Sequence, residues 1–167
     1  MARLQRLLAN LGEGWFQLHR RFPSGLLDDI AAAVAEGERR HLGEVRLAVE
    51  SRLAPLAVIA GLDAPARARQ VFEHLRVWDT EHNNGVLIYV LLAERRIEIV
   101  ADRGMAKRVA SDEWRLVCEH MRTAYAQGQW REGSLRGIEA VHALLERHFP
   151  ADGAPRQDEL PDRPVLL

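Results

Sequence analysis

The chain has 167 residues, of which 23 are basic and 24 acidic, and its formal net charge is −1. This length and composition are typical of one globular domain, and the near-neutral charge excludes a general nucleic-acid binder, which needs an excess of basic side chains. The single cysteine, Cys118, excludes an intramolecular disulfide and a multi-cysteine zinc site.

Residues 1–25 predict a helical extension that precedes the domain. Leucines and arginines alternate there in the pattern of a short amphipathic helix, which we interpret as docked on the body in preference to a membrane-surface helix. Polar residues interrupt this segment too often for a signal peptide. The longest apolar run, residues 86–93, is far shorter than the roughly 20 residues that span a bilayer. We therefore expect a cytoplasmic protein without a transmembrane segment.

The first element of the domain is a predicted helix that begins near Ser24, a good N-terminal cap. Its apolar stripe leads to Glu38, an unusual carboxylate on a core-facing side, and Gly43 ends the helix. Residues 44–50 then alternate between apolar and polar side chains, which predicts a strand with one buried face.

The middle of the chain predicts a helix followed by a hairpin. Residues 53–62 are interpreted as a short helix or a packed loop, and residues 64–78 as a helix with Trp78 on its apolar side, where core packing is favoured. Residues 85–92 are almost wholly apolar, which is typical of a central strand. A short polar turn joins them to residues 97–101, so these two strands should be antiparallel.

The last third predicts two helices and a tail. One helix begins at Ser111 and is interrupted at Gly128, and the next covers residues 131–148. Trp130 lies in the linker between them, where it either packs or anchors a partner. Residues 151–167 form an acidic, proline-containing tail that is extended or disordered unless something pins it. The order of elements predicts an α/β fold, a three-layer α/β/α sandwich with a small mixed sheet.

The sequence lacks the common catalytic motifs. It contains no phosphate-binding P-loop, no dinucleotide-binding glycine motif, no zinc-protease motif and no nucleophile elbow. Cys118 lies on an apolar helix stripe, which favours a packed thiol over a nucleophile. The histidines do not form a convincing transition-metal pattern.

Oxygen-bearing side chains give a more specific signal. Asp102 follows a strand, Glu38 lies on the inward stripe of its helix, and the loop before the central strand carries Asp79, Asn83 and Asn84. The predicted hairpin brings that loop and Asp102 to one end of the sheet, where carboxylate and amide oxygens suit calcium or magnesium. The alternative is structural: Asp102 caps a turn, and Glu38 pairs with a neighbouring arginine.

Several segments together resemble the TPM domain family. They are residues 43–46 after a helix that ends in a glutamate, residues 77–90 and 97–104 around the hairpin, and residues 114–149 as the closing helices. The resemblance places the domain at residues 26–150. Residues 159–162 are similar to the ending of bacterial members without a signal peptide or membrane anchor, although Asp158 stands where those members have asparagine.

This resemblance implies an α/β/α sandwich, and its members are often described as phosphatase-like or calcium-binding accessory factors of membrane complexes. Carried over to this chain, it implies cation ligands at Glu38, Asp102, Asn83 and Asn84. It also implies that the tail acids Asp158, Glu159 and Asp162 close over them.

Two functional hypotheses follow. The first is a divalent-cation-binding accessory module without strong catalysis, which presents a surface to a protein partner such as a membrane-associated complex. The second is a metal-assisted phosphomonoester hydrolase, in which Asp102 would hold the metal and Arg103 would contact phosphate. Neither hypothesis includes a nucleic-acid partner.

Overall fold

A computed structural model describes residues 3–12, 14–154 and 158–167. Within them the helices are α1 Arg3–Gly12, α2 Trp15–Arg21, α3 Ser24–Glu38, α4 Pro55–Ile59, α5 Ala64–His74, α6 Arg103–Ala106, α7 Ser111–Ala126 and α8 Trp130–His148. The strands are β1 Glu44–Glu50, β2 Gly85–Leu91, β3 Arg96–Ala101 and β4 Val165–Leu166. None of these helices is both long and apolar enough to cross a bilayer.

The four strands form one mixed sheet in the order β3-β2-β1-β4. β1 runs parallel to β2, with Glu44 opposite Gly85, and parallel to β4 on its other side. β2 and β3 form the predicted antiparallel hairpin, with Val86 opposite Ala101. The tail is therefore extended where β4 adds it to the sheet.

Each face of the sheet is covered by helices. On one face, Val45, Leu47 and Val49 of β1 share a core with α3, α7 and α8. On the other face, alternate residues such as Ala48 and Tyr89 share a second core with α4, α5 and the tail residue Leu160. The fold is thus the expected three-layer α/β/α sandwich, and β2 is buried along its whole length.

Helix α5 ends at His74, four residues before the predicted end. Arg76 adopts a left-handed conformation with φ of 54°, and the backbone N–H of Val77 bonds back to the carbonyl of Phe72. This turn places Val77 in the core and leaves Trp78 outside, with 47% of its surface exposed. The prediction of core packing for Trp78 was therefore wrong, since it assumed that the helical spacing continued.

Two other side chains occupy the surroundings that the sequence favoured. Cys118 packs against the larger core, and burial raises the pKa of its thiol to about 12, so that it is protonated at neutral pH. Trp130 lies at the start of α8, where its ring is 4.8 Å from that of Tyr125 and carries the Arg21 guanidinium on one face. Packing accounts for both side chains.

Two buried histidines join α8 to the chain between α3 and β1. His41 Nε2 and His142 Nδ1 are 2.7 Å apart, and the backbone N–H of Gly43 donates to His41 Nδ1 at 3.0 Å. An acceptor at His41 Nδ1 requires that His41 Nε2 carries the hydrogen and donates it to His142. Burial lowers the pKa of His142 to about 4, so His142 is neutral at neutral pH and can accept this hydrogen bond.

Helix α3 approaches α8 closely because Gly37 has no side chain. A Cβ added there would lie 2.1 Å from the His142 ring, whereas one added at Gly25 of the same helix meets no atom within 4 Å.

We therefore expect Gly37→Ala to lower the free energy of unfolding by about 2 kcal/mol. Gly25→Ala should leave it unchanged or slightly higher. Urea unfolding of both variants checks this, and equal stability of the two would contradict the close packing of α3 on α8.

Candidate metal centre

Three carboxylates from separate parts of the chain meet at one end of the sheet. Glu38 is the last residue of α3, Glu44 is the first of β1, and Asp158 belongs to the tail. Each offers one oxygen, and the three oxygens lie within 4.8 Å of one another. Among the described His, Cys, Asp and Glu residues, this is the group of three whose atoms converge closely enough to hold one metal ion. We call these three residues the acidic cluster.

Pairing of the tail with β1 brings Asp158 to this cluster. Val165 lies opposite Ala48 in the parallel pair, so the residues before it run beside the start of β1. Leu160 is buried against the α5 side of the sheet, and the Arg46 guanidinium donates to the carbonyl of Pro161. These contacts fix the tail a few residues after Asp158.

Glu44 holds the tail directly. The backbone N–H groups of Glu159 and Leu160 both donate to Glu44 Oε2, at 3.4 and 3.3 Å. Glu44 is only 2% exposed. Its carboxylate accepts hydrogen bonds from the tail backbone and also lies close to the carboxyl groups of Glu38 and Asp158. The sequence pattern does not single out Glu44, because a glutamate at a strand end is ordinarily solvated.

The fold opposes ionisation of the Glu38 carboxyl group. The backbone N–H of Val45 donates to Glu38 Oε1 at 2.6 Å, which fixes the side chain over the start of β1. Burial, together with the nearby charges of Glu44, Asp162 and Asp158, raises the pKa of Glu38 to about 9. The carboxyl of Glu38 is therefore protonated at neutral pH unless a cation compensates its charge.

Asp162 supplies a fourth acidic group beside the acidic cluster. Its Oδ1 atom is buried and accepts no hydrogen bond from the described residues. Burial and the charge of Asp158 raise the pKa of Asp162, while Arg46 opposes the shift. Asp158 and Asp162 of the tail therefore lie near Glu38, and their predicted closure over a cation stays a prediction.

Asp102 and the loop before β2 lie at the same end of the sheet, as the hairpin predicted. The backbone N–H of Asp102 donates to Gly85 at 2.9 Å, and that of Gly104 donates to Asn83 at 3.2 Å. Asp102 Oδ1 accepts the N–H of Arg103 at 2.6 Å and so caps α6. Asp102 therefore caps α6, and it also lies beside the loop that carries Asn83 and Asn84.

One oxygen of Asp102 and one of Asn84 are left without partners. Asp102 Oδ2 and Asn84 Oδ1 are buried and accept no hydrogen bond from any described residue. The Asn84 amide N–H₂ donates to the carbonyl of Leu42, which directs the side chain toward β1. Buried oxygens without a donor are costly, which makes each of these two atoms a candidate ligand.

Three other residues predicted for the site lie outside both the acidic cluster and the pair of residues with unpartnered oxygens. Asp79 pairs with the exposed Arg76 at 2.6 Å, one helical turn away. Asn83 takes a left-handed conformation with φ of 52° and is exposed, so it shapes the turn. Arg103 is also exposed. The roles predicted for these residues in cation or phosphate binding stay predictions.

The comparison with known proteins agrees with this architecture. The sequence model of the TPM domain matches residues 24–144, which is most of the chain. The chain belongs to the TPM domain family. No curated protein matches it significantly.

One solved structure resembles this TPM domain over nearly its full length. It is the NMR structure of the BA42 protein from the psychrophilic bacterium Bizionia argentinensis, with a TM-score of 0.75 and 28% sequence identity. The similarity covers 86% of this chain and 93% of BA42. The three-layer arrangement described above is therefore shared with another member of known structure.

The raised pKa of Glu38 gives this TPM domain a distinctive pH response without divalent cations. The unfolded chain ionises Glu38 from its usual pKa of 4.5, whereas the folded chain does so near 9. This group therefore stabilises the fold fully below pH 4.5, and the contribution is lost as pH rises toward 9. Glu38→Gln keeps an acceptor for Val45 but cannot ionise, so it should exceed the wild type in stability at pH 8 by at least about 1 kcal/mol.

Urea unfolding in EDTA at pH 8 and pH 4.5 measures this difference, which should disappear at the lower pH. Glu36→Gln is the matched control, because Glu36 is exposed on the same helix and pairs with Arg39. A Glu38→Gln variant that is less stable than the wild type at pH 8 in EDTA would contradict the raised pKa of Glu38.

Proposed function

We propose that this TPM domain binds a divalent cation, calcium or magnesium, at Glu38, Glu44 and Asp158, and that it acts as an accessory module for a protein partner. The observation that carries the proposal is the convergence of three carboxylate oxygens within 4.8 Å. Hard divalent cations prefer oxygen ligands of this kind. The partner that we propose is a protein assembly, including one associated with a membrane.

The electrostatics of the acidic cluster support a cation. Like charges at this separation repel each other, and the fold nevertheless holds Glu38 and Glu44 in place through backbone N–H groups. A divalent ion would replace the repulsion between the carboxylates with attraction, since it attracts every carboxylate in the group and displaces the proton from Glu38. Asp158 is exposed, which leaves a side of the cluster open to solvent.

Cation binding would also join two parts of the chain. Glu38 and Glu44 belong to the body of the domain, whereas Asp158 belongs to the tail. An ion bound to all three would fix the tail to the body at a second point, in addition to the pairing of β4 with β1. We infer that the ion controls the surface that the tail presents to a partner.

Calcium should therefore raise the melting temperature. At a concentration one hundred times Kd the stabilisation is about 2.7 kcal/mol, which for a chain of this size is a rise in Tm of about 5–10 °C. Glu38→Gln, Glu44→Gln and Asp158→Asn should each remove most of this rise, because each loses a charged ligand. Differential scanning fluorimetry with calcium and magnesium, compared with EDTA, measures the effect.

Asp79→Asn is the control for nonspecific charge effects, since Asp79 is acidic but pairs with Arg76 outside the acidic cluster. This variant should respond to calcium like the wild type. If neither ion shifts the wild-type melt, or if Asp158→Asn retains the full shift, the cation site is wrong. Isothermal titration calorimetry then gives the stoichiometry, which should be one ion per chain at this site.

A second candidate function is metal-assisted hydrolysis of phosphomonoesters. The observation that favours it is the pair of buried oxygens without partners, Asp102 Oδ2 and Asn84 Oδ1. A metal held there would supply a Lewis acid beside Arg103, whose guanidinium is a suitable phosphate ligand. No described cysteine competes as a nucleophile, because Cys118 is packed and protonated.

Asp102→Asn separates this candidate from a purely structural role of Asp102. Asparagine keeps an oxygen that can cap α6 but removes the charge, so turnover of p-nitrophenyl phosphate should fall at least about tenfold while Tm changes little. Arg103→Gln should weaken phosphate inhibition in the same assay. Activity that survives Asp102→Asn, or that separates from the protein on further purification, would rule out this site as the source of hydrolysis.

A further inference from the structure

The N-terminal helices turn large apolar side chains to solvent. Leu4, Leu8 and Leu11 of α1 recur along one side of the helix, and Trp15 and Phe16 of α2 follow them. Between 56% and 73% of the surface of each of these five side chains is exposed. An amphipathic helix on a globular body ordinarily turns such a side inward, so the orientation of α1 needs an explanation.

Polar contacts fix this orientation. Arg6 forms a two-pronged ion pair with the buried Glu94, at 2.9 and 2.8 Å, and also donates to the carbonyl of Leu62. Asn10 is fully buried, accepts the backbone N–H of Leu53 at 2.6 Å and donates to Glu94 at 3.0 Å. Rotation of α1 that buried its leucines would leave the Glu94 carboxylate without these partners. The helix therefore docks on the body, as predicted, through the side that carries Arg6, Leu7 and Asn10.

The short helix α4, on which α1 packs, adds two more exposed apolar side chains, Leu56 and Ile59. We define the N-terminal apolar face as the seven residues Leu4, Leu8, Leu11, Trp15, Phe16, Leu56 and Ile59. Elsewhere in the described chain, exposed large apolar side chains are single and scattered: Trp78, Leu116 and Leu167. A concentration of apolar surface on neighbouring helices marks a binding face.

The charges around this face are basic. The sequence from residue 1 to 22 contains four arginines, at positions 3, 6, 20 and 21, and one acid, Glu13. A cavity of about 1030 Å³ beside the helices is lined by further arginines, Arg95 of the β2–β3 turn, Arg96 of β3 and Arg122 of α7, which outnumber the acids Asp63 and Glu94 in the same lining. This combination of leucine, aromatic and arginine side chains matches the anionic surface of a lipid bilayer. A second copy of the chain fits less well, since it would bring two basic rims together.

We propose that the N-terminal apolar face is a peripheral membrane-binding surface selective for anionic lipids. The leucines and aromatic rings enter the boundary between headgroups and acyl chains, and the exposed Arg3 and Arg20 contact lipid phosphates. Arg6 and Asn10 contact residues that follow the carboxyl ends of β1 and β2, whereas the acidic cluster lies at the amino end of β1. Strands of seven residues separate these ends by about 20 Å, so the acidic cluster faces away from the bilayer.

Vesicle co-sedimentation of the full chain tests the proposal. The vesicles contain either phosphatidylcholine alone or a 3:1 mixture of phosphatidylcholine and phosphatidylglycerol, and EDTA is present, so that the result does not depend on the cation site. We expect binding to the mixed vesicles, weak binding to the neutral ones, and a loss of binding at high salt. Leu4→Ser combined with Leu8→Ser should reduce the partition coefficient at least about tenfold, because apolar burial drives insertion.

Two matched controls separate insertion from general effects. Leu116→Ser removes an exposed leucine of α7 that lies outside the face, and it should bind like the wild type. Tryptophan emission should shift to shorter wavelength on mixed vesicles; Trp15→Phe should abolish the shift, and Trp78→Phe should preserve it. The serine variants keep Arg6 and Asn10, so circular dichroism should show an unchanged fold.

The proposal is overturned if the wild type does not bind the mixed vesicles or binds both kinds equally. It is also overturned if the serine variants bind as well as the wild type. Light scattering behind a gel-filtration column checks the competing occupant: a stable dimer that the Leu4 and Leu8 replacements convert to monomer would assign the face to a second copy of this chain.

Discussion

The parallel pairing of β1 with a strand on each side is the interaction on which the rest of the structure depends. β1 lies between β2 and β4, and its side chains are buried along its whole length. β2 returns parallel to it through α4 and α5, which cover one face, while α3, α7 and α8 cover the other. β4 then fixes the tail beside β1, and with it Asp158 and Asp162 near the end of α3.

This arrangement separates two kinds of surface at opposite ends of the sheet. At the amino end of β1, backbone N–H groups and buried neighbours hold carboxyl groups closer together than their charges favour. At the carboxyl end, Glu94 is buried and satisfied by Arg6 and Asn10, and the same polar contacts leave the leucines of α1 outside. We propose a cation at the first end and an anionic surface at the second, and the sheet keeps these two ends apart.

Local sequence patterns predicted most of the fold, because the period of apolar residues follows directly from helix and strand geometry. They predicted the central strand, the hairpin, the helices on both faces and the core-facing side of α3 on which Glu38 lies. They failed where a backbone turn changed the period: Arg76 takes a left-handed conformation, so Val77 and not Trp78 reaches the core. They also gave no sign of α6, which is a single turn after Asp102.

The candidate site was predictable only in part. Glu38 was recognisable because a carboxylate on a core-facing stripe is unusual, and Asp102 because it follows a strand; the tail acids came from the family resemblance. The sequence by itself determined the fold class, the order of most elements and the presence of oxygen-bearing candidate ligands, since these depend on neighbours along the chain. Only the tertiary structure decided that Glu38 meets Glu44 and Asp158 and that α1 docks through Arg6 and Asn10. Both outcomes depend on contacts between residues far apart in sequence, and a local pattern contains no information about the partner that a buried charge will find.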